Sequence, residues 1–267
     1  MPNIYIENRD RWEQLSAVDY LGAFVNAWLA FNAWYRSAYN ENQDRKIINE
    51  FKWQPSVVRS KIIPLLTASS EEAEQLRADV GLLHHRLENF HLHSGKDPNK
   101  ERITLTNVYL RENVPTSQTT NIYGLTFEVS PGGAGVSPKQ VTSKVSNRRG
   151  AVLLFFTQPS FDPAELEANA DFQSNLNANQ RGQLLALYRN VNPKIIGDLL
   201  TMGQLTPIKC GAHDFKCTPD ELFAGFGEVI YLLRCCLFHG ELVPSREASA
   251  CYEPAYHIVR RFLQSIA

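Results

Sequence analysis

The segment that most constrains the fold is TPDELFAGFGEVIYLLRCCLFHG, residues 218–240, because it carries both ends of a helix in its own sequence. Thr218 can cap the helix, Pro219 suits the first helical position, and Glu221 completes a capping box. Gly240 is a natural stop after the last helical residue. Since most side chains in between are apolar, the segment predicts a core helix that ends in Arg234 and His239.

Helical periodicity also occurs on both sides of a different central region. Residues 16–39 begin with the start signal Ser16 and Asp19 and then repeat large apolar side chains at spacings of three and four. The same reasoning predicts further helices over 44–66, with an interruption near Pro55, and over 69–93, 163–176, 179–191, 192–203 and 254–266.

Residues 101–158 differ in character, since they are rich in threonine, valine, isoleucine and aromatic residues. Strands are predicted at 101–112, 120–130 and 151–157, with a flexible loop at 130–138 and a tight turn at 146–150. The fold class that follows is mainly α. We expect a single domain over 1–267 that carries a β-rich insertion at about 101–158.

Charge and composition limit the classes of function. The chain has 267 residues and a formal charge of -1, so nucleic acid would have to meet a local basic site or two sites joined by dimerisation. The first residues lack the basic and apolar regions of a secretory signal, and no apolar run is long enough to span a bilayer. Five cysteines, two of them adjacent, make a poor disulfide framework. We therefore expect a cytoplasmic protein without a membrane partner.

Arg234 and His239 are the main candidate site residues. Arginine offers a fixed fork for phosphate, and histidine can exchange a proton near neutral pH, so the pair suits phosphodiester transesterification. Glu228 and Tyr231 precede Arg234 at intervals of three and could support the site. The alternative is structural: His239 favours the end of the helix, and Arg234 pairs with Glu228. Asn32, amid aromatic residues, either points towards this site or satisfies a buried backbone group.

Three segments resemble one known family. YLLRCCLFHGE contains an R-x4-H motif like that of the HEPN superfamily, and AWLAFNAWY is similar to the first helix of its Apea-like branch. The closing segment LVPSREASACYEPAYHIVRRFL is also similar in layout, and the resemblance covers roughly 16–95 and 160–267. It implies an HEPN-like helical bundle. One departure is Cys235, which stands where members often carry Asn, Asp or His.

The resemblance also implies an activity. It is metal-independent RNA cleavage in a homodimer, without a cofactor, in which Arg234 would hold the scissile phosphate and His239 would handle a proton. The implied setting is a bacterial toxin or phage-defence effector, with an antitoxin or defence-system protein as a possible partner. Two alternatives stay open. One is a non-catalytic HEPN-like module that binds RNA, nucleotides or protein, and the other is a structural partner protein with Arg234 in an internal salt bridge.

Two further clusters contain residue types that suit a binding site. Cys210, His213 and Cys217 could ligate zinc, but no standard spacing supplies a fourth ligand, so no metal site is predicted. A loop leading to Thr218 is the preferred interpretation. Arg148 and Arg149, in the basic turn, could guide an RNA backbone or simply keep an exposed turn soluble.

Overall fold

The computed structural model describes residues 19–95, 101–132 and 140–266. About half of these residues are helical, and a separate region contains a multi-stranded sheet. The chain divides into two compact units: the first runs to Leu110 and resumes at Ile196, and the second spans Arg111–Ile195. Within the described residues, no helix is long and apolar enough to cross a membrane.

The secondary-structure elements follow one another in this order: α1 (Tyr20–Ala38), α2 (Asp44–Trp53), α3 (Val57–Leu65), α4 (Glu71–Asn89), β1 (His93–Ser94), β2 (Glu101–Arg102), β3 (Val108–Glu112), β4 (Gln118–Ile122), β5 (Leu125–Pro131), β6 (Val141–Asn147), β7 (Val152–Gln158), α5 (Pro163–Ala168), α6 (Ala170–Asn175), α7 (Ala178–Arg189), β8 (Lys194–Gly197), β9 (Ile208–Cys210), β10 (His213–Phe215), α8 (Pro219–Phe238) and α9 (Arg246–Ile266). Short antiparallel pairs join β1 with β2 and β9 with β10, and β3 pairs with β8.

Helix α1 shows how the first unit is held together. Its apolar stripe is buried, including Trp28 and Phe31 at 1% exposure each. The Phe31 ring lies 5.2 Å from that of Phe51 on α2 and 5.4 Å from that of Phe262 on α9. Large aromatic side chains bury much apolar area and stabilise such a core strongly. The predicted helical repeat of this segment is therefore confirmed as the face that packs against its neighbours.

Both predicted ends of α8 are confirmed. The Thr218 hydroxyl accepts a hydrogen bond from the Glu221 amide at 3.2 Å, and the Glu221 carboxylate accepts one from the Thr218 amide at 2.8 Å. At the other end, Gly240 adopts φ +68, a conformation that glycine allows without steric cost. The helix between these signals is largely buried, as expected for a core helix.

Other helix boundaries differ from the predictions. Helix α4 starts after Ser70, whose hydroxyl accepts from Ala73, so the cap lies one residue later than Ser69. Helix α9 begins at Arg246, well before Pro254, because Ser245 caps it by accepting from the Ala248 amide at 3.1 Å. Pro254 therefore lies inside the helix. Ser16 is outside the described residues, and Asp19 caps α1 by accepting from the Gly22 amide.

The second unit is a four-stranded antiparallel sheet in the order β4–β5–β6–β7, with α5, α6 and α7 in the same unit. Its core joins strand residues such as Phe127 and Val145 to the helical residues Phe172 and Tyr188. A single sheet needs its apolar face covered, and these helices cover it. The β-rich region thus belongs to a unit over 111–195, which is larger than the insertion predicted at 101–158.

Two local predictions are wrong, and one strand was not predicted. Residues 192–203 do not form a helix, since β8 and a turn occupy them. The β-branched Ile195 and Ile196 favour a strand, and at Gly197 a Cβ would lie 2.9 Å from the Leu110 side chain. Residues 208–217 form the β9–β10 hairpin instead of a loop, and β6 had not been predicted. Most of the predicted loop at 130–138 lies outside the described residues.

Candidate active site

Arg234 lies near the C-terminal end of α8, with its side chain 16% exposed. Its Nη2 atom donates a hydrogen bond to the Asp44 carboxylate at 3.2 Å. The guanidinium carbon lies 4.9 Å from the centre of the Phe238 ring. Its Nε is buried and has no hydrogen-bond partner among the described residues. The guanidinium is thus held in place while part of its hydrogen-bonding capacity stays unused.

Asp44, the first residue of α2, connects Arg234 to α1. Its other carboxylate oxygen accepts from Arg36, and the Arg36 Nε donates to the Asn32 side-chain carbonyl at 3.2 Å. A further Arg36 nitrogen donates to the Asn42 carbonyl at 3.3 Å. Asn32 therefore reaches Arg234 indirectly, through Arg36 and Asp44, and its carbonyl accepts from a side chain instead of from the backbone.

His239 is the C-cap residue of α8, and it is exposed. Its backbone amide donates to the Cys235 carbonyl at 2.9 Å, which fixes the position of the residue. Five residues of helix separate it from Arg234, a rise of about 7.5 Å along the axis. The two residues also differ by about 140° around the helix axis, so the proximity in sequence does not by itself bring both side chains to one phosphate.

Glu228 is buried at 1% exposure and binds two cations of α2. Arg45 Nη1 donates to its carboxylate oxygens at 2.6 and 2.8 Å, and Lys52 Nζ donates at 2.8 Å. The predicted pair between Arg234 and Glu228 is therefore wrong, because Arg234 pairs with Asp44, but Arg234 does form an internal salt bridge, as the structural alternative expects. Glu228 joins α2 to α8 inside the protein, where it cannot meet a large substrate.

Tyr231 is also nearly buried, and the Arg45 guanidinium carbon lies 4.4 Å from the centre of its ring. Burial raises the pKa of Tyr231 to about 12, and the nearby Cys235 adds to the rise. The phenol is therefore protonated at neutral pH and cannot act as a base there. Its contact with Arg45 instead supports the packing of α2 against α8.

We call the charged group formed by α1, α2 and α8 the α8 cluster; its members are Arg36, Asp44, Arg45, Lys52, Glu228 and Arg234. It contains four cations and two carboxylates, which leaves a local excess of two positive charges in a chain whose formal charge is -1. Such a local excess attracts an anion even where the whole molecule does not.

Sequence reasoning missed Arg36, Asp44, Arg45 and Lys52. One signal was present: Arg45 and Lys52 are seven residues apart, so they lie on one face of a predicted helix. That spacing indicates a shared face. It does not reveal that the face meets Glu228, which is 176 residues from Lys52 along the chain.

Arg148 and Arg149 lie in the β6–β7 turn of the second unit, whereas the α8 cluster lies in the first. Both arginines are exposed. The side-chain oxygen of Asn147 accepts hydrogen bonds from the backbone amides of Arg149 at 2.9 Å and Ala151 at 3.0 Å. These bonds confirm the tight turn. This geometry leaves their guanidinium groups available to solvent or to an anion.

Two of the cysteines near α8, Cys210 and Cys217, are buried. Burial raises the pKa values of Cys210 and Cys217 to about 12, so both are protonated and free of disulfides. Within the described ranges, no group of three His, Cys, Asp or Glu side chains could hold a metal ion. The His213 ring instead packs 4.6 Å from that of His84, which is buried at 3% exposure.

Comparisons with known proteins find no matching family model, no similar curated protein and no similar solved structure. The resemblance to the HEPN superfamily therefore rests on the sequence motifs around Arg234 and at the α1 aromatic stripe.

Proposed function

We propose that the chain is a metal-independent endoribonuclease of HEPN type, with Arg234 and His239 as its catalytic residues. The observation that carries the proposal is the end of α8: an arginine in a cluster with excess positive charge, five residues before an exposed histidine. Arginine recognises phosphate through its fork, and imidazole exchanges protons near neutral pH.

The proposed reaction is attack by an RNA 2′-hydroxyl on the adjacent phosphorus. A bond forms from the 2′-oxygen to phosphorus, and the bond from phosphorus to the 5′-oxygen breaks. A base removes the 2′ proton, and an acid supplies a proton to the leaving 5′-oxygen. Arg234 would stabilise the extra negative charge on the phosphoryl oxygens. The products are a 2′,3′-cyclic phosphate and a 5′-hydroxyl.

This chemistry favours a homodimer. One His239 can serve as base or as acid in a given step, whereas the reaction needs both at once. An isologous interface beside the end of α8 would place a second Arg234 and a second His239 in the same cleft. The exposed apolar side chains Phe238 and Val243, at 41% and 79% exposure, flank His239 and would be covered by such an interface.

The resemblance to the HEPN superfamily suggests the biological setting. The proposed partners are an RNA substrate and an antitoxin or another protein of a defence system that holds the nuclease inactive. A ribonuclease of this kind would act as a toxin or as a phage-defence effector in the cytoplasm.

A second candidate function is a non-catalytic module that binds RNA. The ion pair between Arg234 and Asp44 at 3.2 Å belongs instead to the structural alternative, in which the arginine only holds α2 against α8. The sequence favours the binding module. Cys235, beside Arg234, replaces the polar residues common in the catalytic members of the family. In this case Arg234 would contact phosphate, but no bond would break.

The test is cleavage of RNA by the purified protein in the presence of EDTA. The proposal expects cleavage, a 2′,3′-cyclic phosphate at the new end, and protection by a 2′-deoxy nucleotide at the scissile position. Binding of RNA without cleavage would support the second candidate. Activity that disappears in EDTA and returns with a divalent ion would overturn the imidazole mechanism.

A further inference from the structure

A cavity of about 430 Å³ lies between α4 and α9 in the first unit. It shares no residue with the α8 cluster. The side chains around it are almost all polar or charged, and they are Gln75, Asp79, Tyr256, His257, Arg260, Arg261 and Gln264. Polar groups converging on one small cavity are typical of a binding site for a small molecule.

The most informative group in the cavity is Asp79. It is buried at 5% exposure, and its Oδ2 accepts no hydrogen bond from the described part of the chain. The cation facing it is Arg261, whose Nε is 3.6 Å away and is itself buried without a hydrogen-bond partner there. Buried polar atoms are nearly always paired. Asp79 accepts from the Gln75 amide at 3.5 Å through Oδ1, and its ion pair with Arg261 is too long for a direct hydrogen bond. A ligand that donates to the carboxylate and accepts from the guanidinium would complete both groups.

The charges around the cavity favour an anion. Three basic groups, Arg260, Arg261 and His257, line the cavity together with Asp79, and Glu72 beside it lies 4.0 Å from Nη1 of Arg261. Arginine matches the oxygens of phosphate better than any other side chain because its donors form a rigid fork. The guanidinium carbon of Arg260 also lies 6.0 Å from the centre of the Tyr256 ring, which places this cation at the wall of the cavity.

The volume indicates a ligand larger than an inorganic anion. A cavity of about 430 Å³ falls in the range that holds a small organic molecule. We propose that it binds a sugar phosphate: the phosphate on Arg260, Arg261 and His257, and a sugar hydroxyl that donates to Asp79. The sugar phosphate could be free or part of a nucleotide, since both present the same chemistry to these residues.

The test is calorimetric titration of the full chain with three probes: inorganic phosphate, ribose 5-phosphate and AMP. Ribose 5-phosphate should bind at least tenfold more tightly than phosphate, because its sugar hydroxyls can donate to Asp79 while its phosphate stays on the arginines. AMP that binds tenfold more tightly still would assign the site to nucleotides, whereas equal affinity would assign it to the sugar phosphate alone. Equal weak binding of all three probes, or no binding at millimolar concentration, would overturn the proposal.

Variants then locate the binding. Arg260→Gln changes an exposed side chain, so it should keep the fold and lower the affinity for ribose 5-phosphate at least fivefold. Asp79→Asn should lower the affinity for ribose 5-phosphate and leave the affinity for inorganic phosphate unchanged. Arg246→Gln, on the same helix and also exposed, is the control and should bind as the wild type does. Unchanged affinity in Arg260→Gln would contradict the proposal, even if Asp79→Asn failed to fold.

The α9 cavity can be tested separately from the proposed ribonuclease activity. Arg260→Gln should cleave RNA at the wild-type rate, because Arg260 is not part of the α8 cluster. A melting temperature that falls in Asp79→Asn, in a protein that binds none of the probes, would show that Asp79 and Arg261 form only a structural ion pair between α4 and α9.

Discussion

The α8 cluster and the α9 cavity each place an aspartate opposite an arginine, but they satisfy these charges differently. Asp44 accepts hydrogen bonds from both Arg36 and Arg234. Asp79 faces Arg261 at 3.6 Å, and neither of the two facing atoms has a hydrogen-bond partner within the described ranges. The same residue types therefore make a connected network in one place and an incomplete one in the other, and we infer that the incomplete one needs a ligand.

The two regions also differ in access to water. The Asp44 side chain is 17% exposed, against 6% for Asp79. Water can screen and solvate the first pair, which lowers the cost of exchanging its carboxylate for a phosphate. At Asp79 burial dominates and raises the pKa, although His257 and Arg261 act in the opposite direction. The contrast predicts that Arg234 can exchange the Asp44 carboxylate for a phosphate. It also predicts that the buried Asp79 carboxylate needs a hydrogen-bond donor from a ligand.

The largest expected effect is on catalysis. Arg234→Ala and His239→Ala should each lower RNA cleavage by about 10²- to 10⁴-fold, the usual contribution of a general acid or base and of a charge-stabilising group. The rate of cleavage under single-turnover conditions is the measurement. Arg246→Ala and His91→Ala are matched controls on exposed residues of the same types, and they should cleave normally.

The fold of these variants decides how the result is interpreted. Because Arg234 is partly exposed, loss of its pair with Asp44 should cost about 1 kcal/mol or less. A wild-type cleavage rate in either variant would remove that residue from the mechanism. A large fall in the melting temperature of Arg234→Ala would instead favour the structural role of the arginine.

A smaller but still large effect is expected on stability. Glu228→Gln should lower the free energy of unfolding by about 3–5 kcal/mol, because it removes the buried partner of Lys52 and Arg45. Urea unfolding monitored by circular dichroism measures this change. Glu247→Gln, at an exposed position on α9, should alter the free energy by less than about 0.5 kcal/mol. A similar small change in Glu228→Gln would show that the buried triad contributes little.

What could be predicted from the sequence was local. The ends of α8 could be identified because Thr218, Glu221 and Gly240 act on their own neighbours in the chain. The candidate pair Arg234 and His239 could be found for the same reason, since both lie on one helix. The partner of Arg234 could not be found from the sequence, because Asp44 is 190 residues away. Nothing in the sequence distinguishes it from the other acidic residues.

Errors arose where tertiary contacts outweigh local preference. The helix predicted at 192–203 is lost because β8 pairs with β3, and Leu110 packs where a side chain at position 197 would be. Pro254 was taken as the start of a helix, yet it lies inside α9 because Ser245 already caps that helix. The α9 cavity was missed altogether, since it depends on how α4 and α9 pack.

Asp44→Asn should sharpen the comparison by making Arg234 more available. Removing the competing carboxylate should increase the affinity for a 2′-deoxy, uncleavable RNA by about two- to five-fold, the effect expected for a partly exposed pair. Fluorescence anisotropy at two salt concentrations measures it. Asp214→Asn, an exposed aspartate in β10, is the control. Weaker binding in Asp44→Asn would show that Asp44 positions the guanidinium instead of competing for it.

The smallest effect concerns the pH dependence of stability at Asp79. Burial raises the pKa of this carboxyl, so the folded protein binds a proton there more readily than the unfolded chain does. The resulting stability is fully present below the unfolded pKa near 3.8 and is lost as the pH rises through the raised folded pKa. Wild type should therefore gain stability relative to Asp79→Asn as the pH falls through this window, as urea unfolding of both proteins can measure.

Saturating ribose 5-phosphate should reduce that gain, because a hydroxyl that donates to the carboxylate favours its charged form. An unchanged gain in the presence of bound ligand would place the sugar away from Asp79.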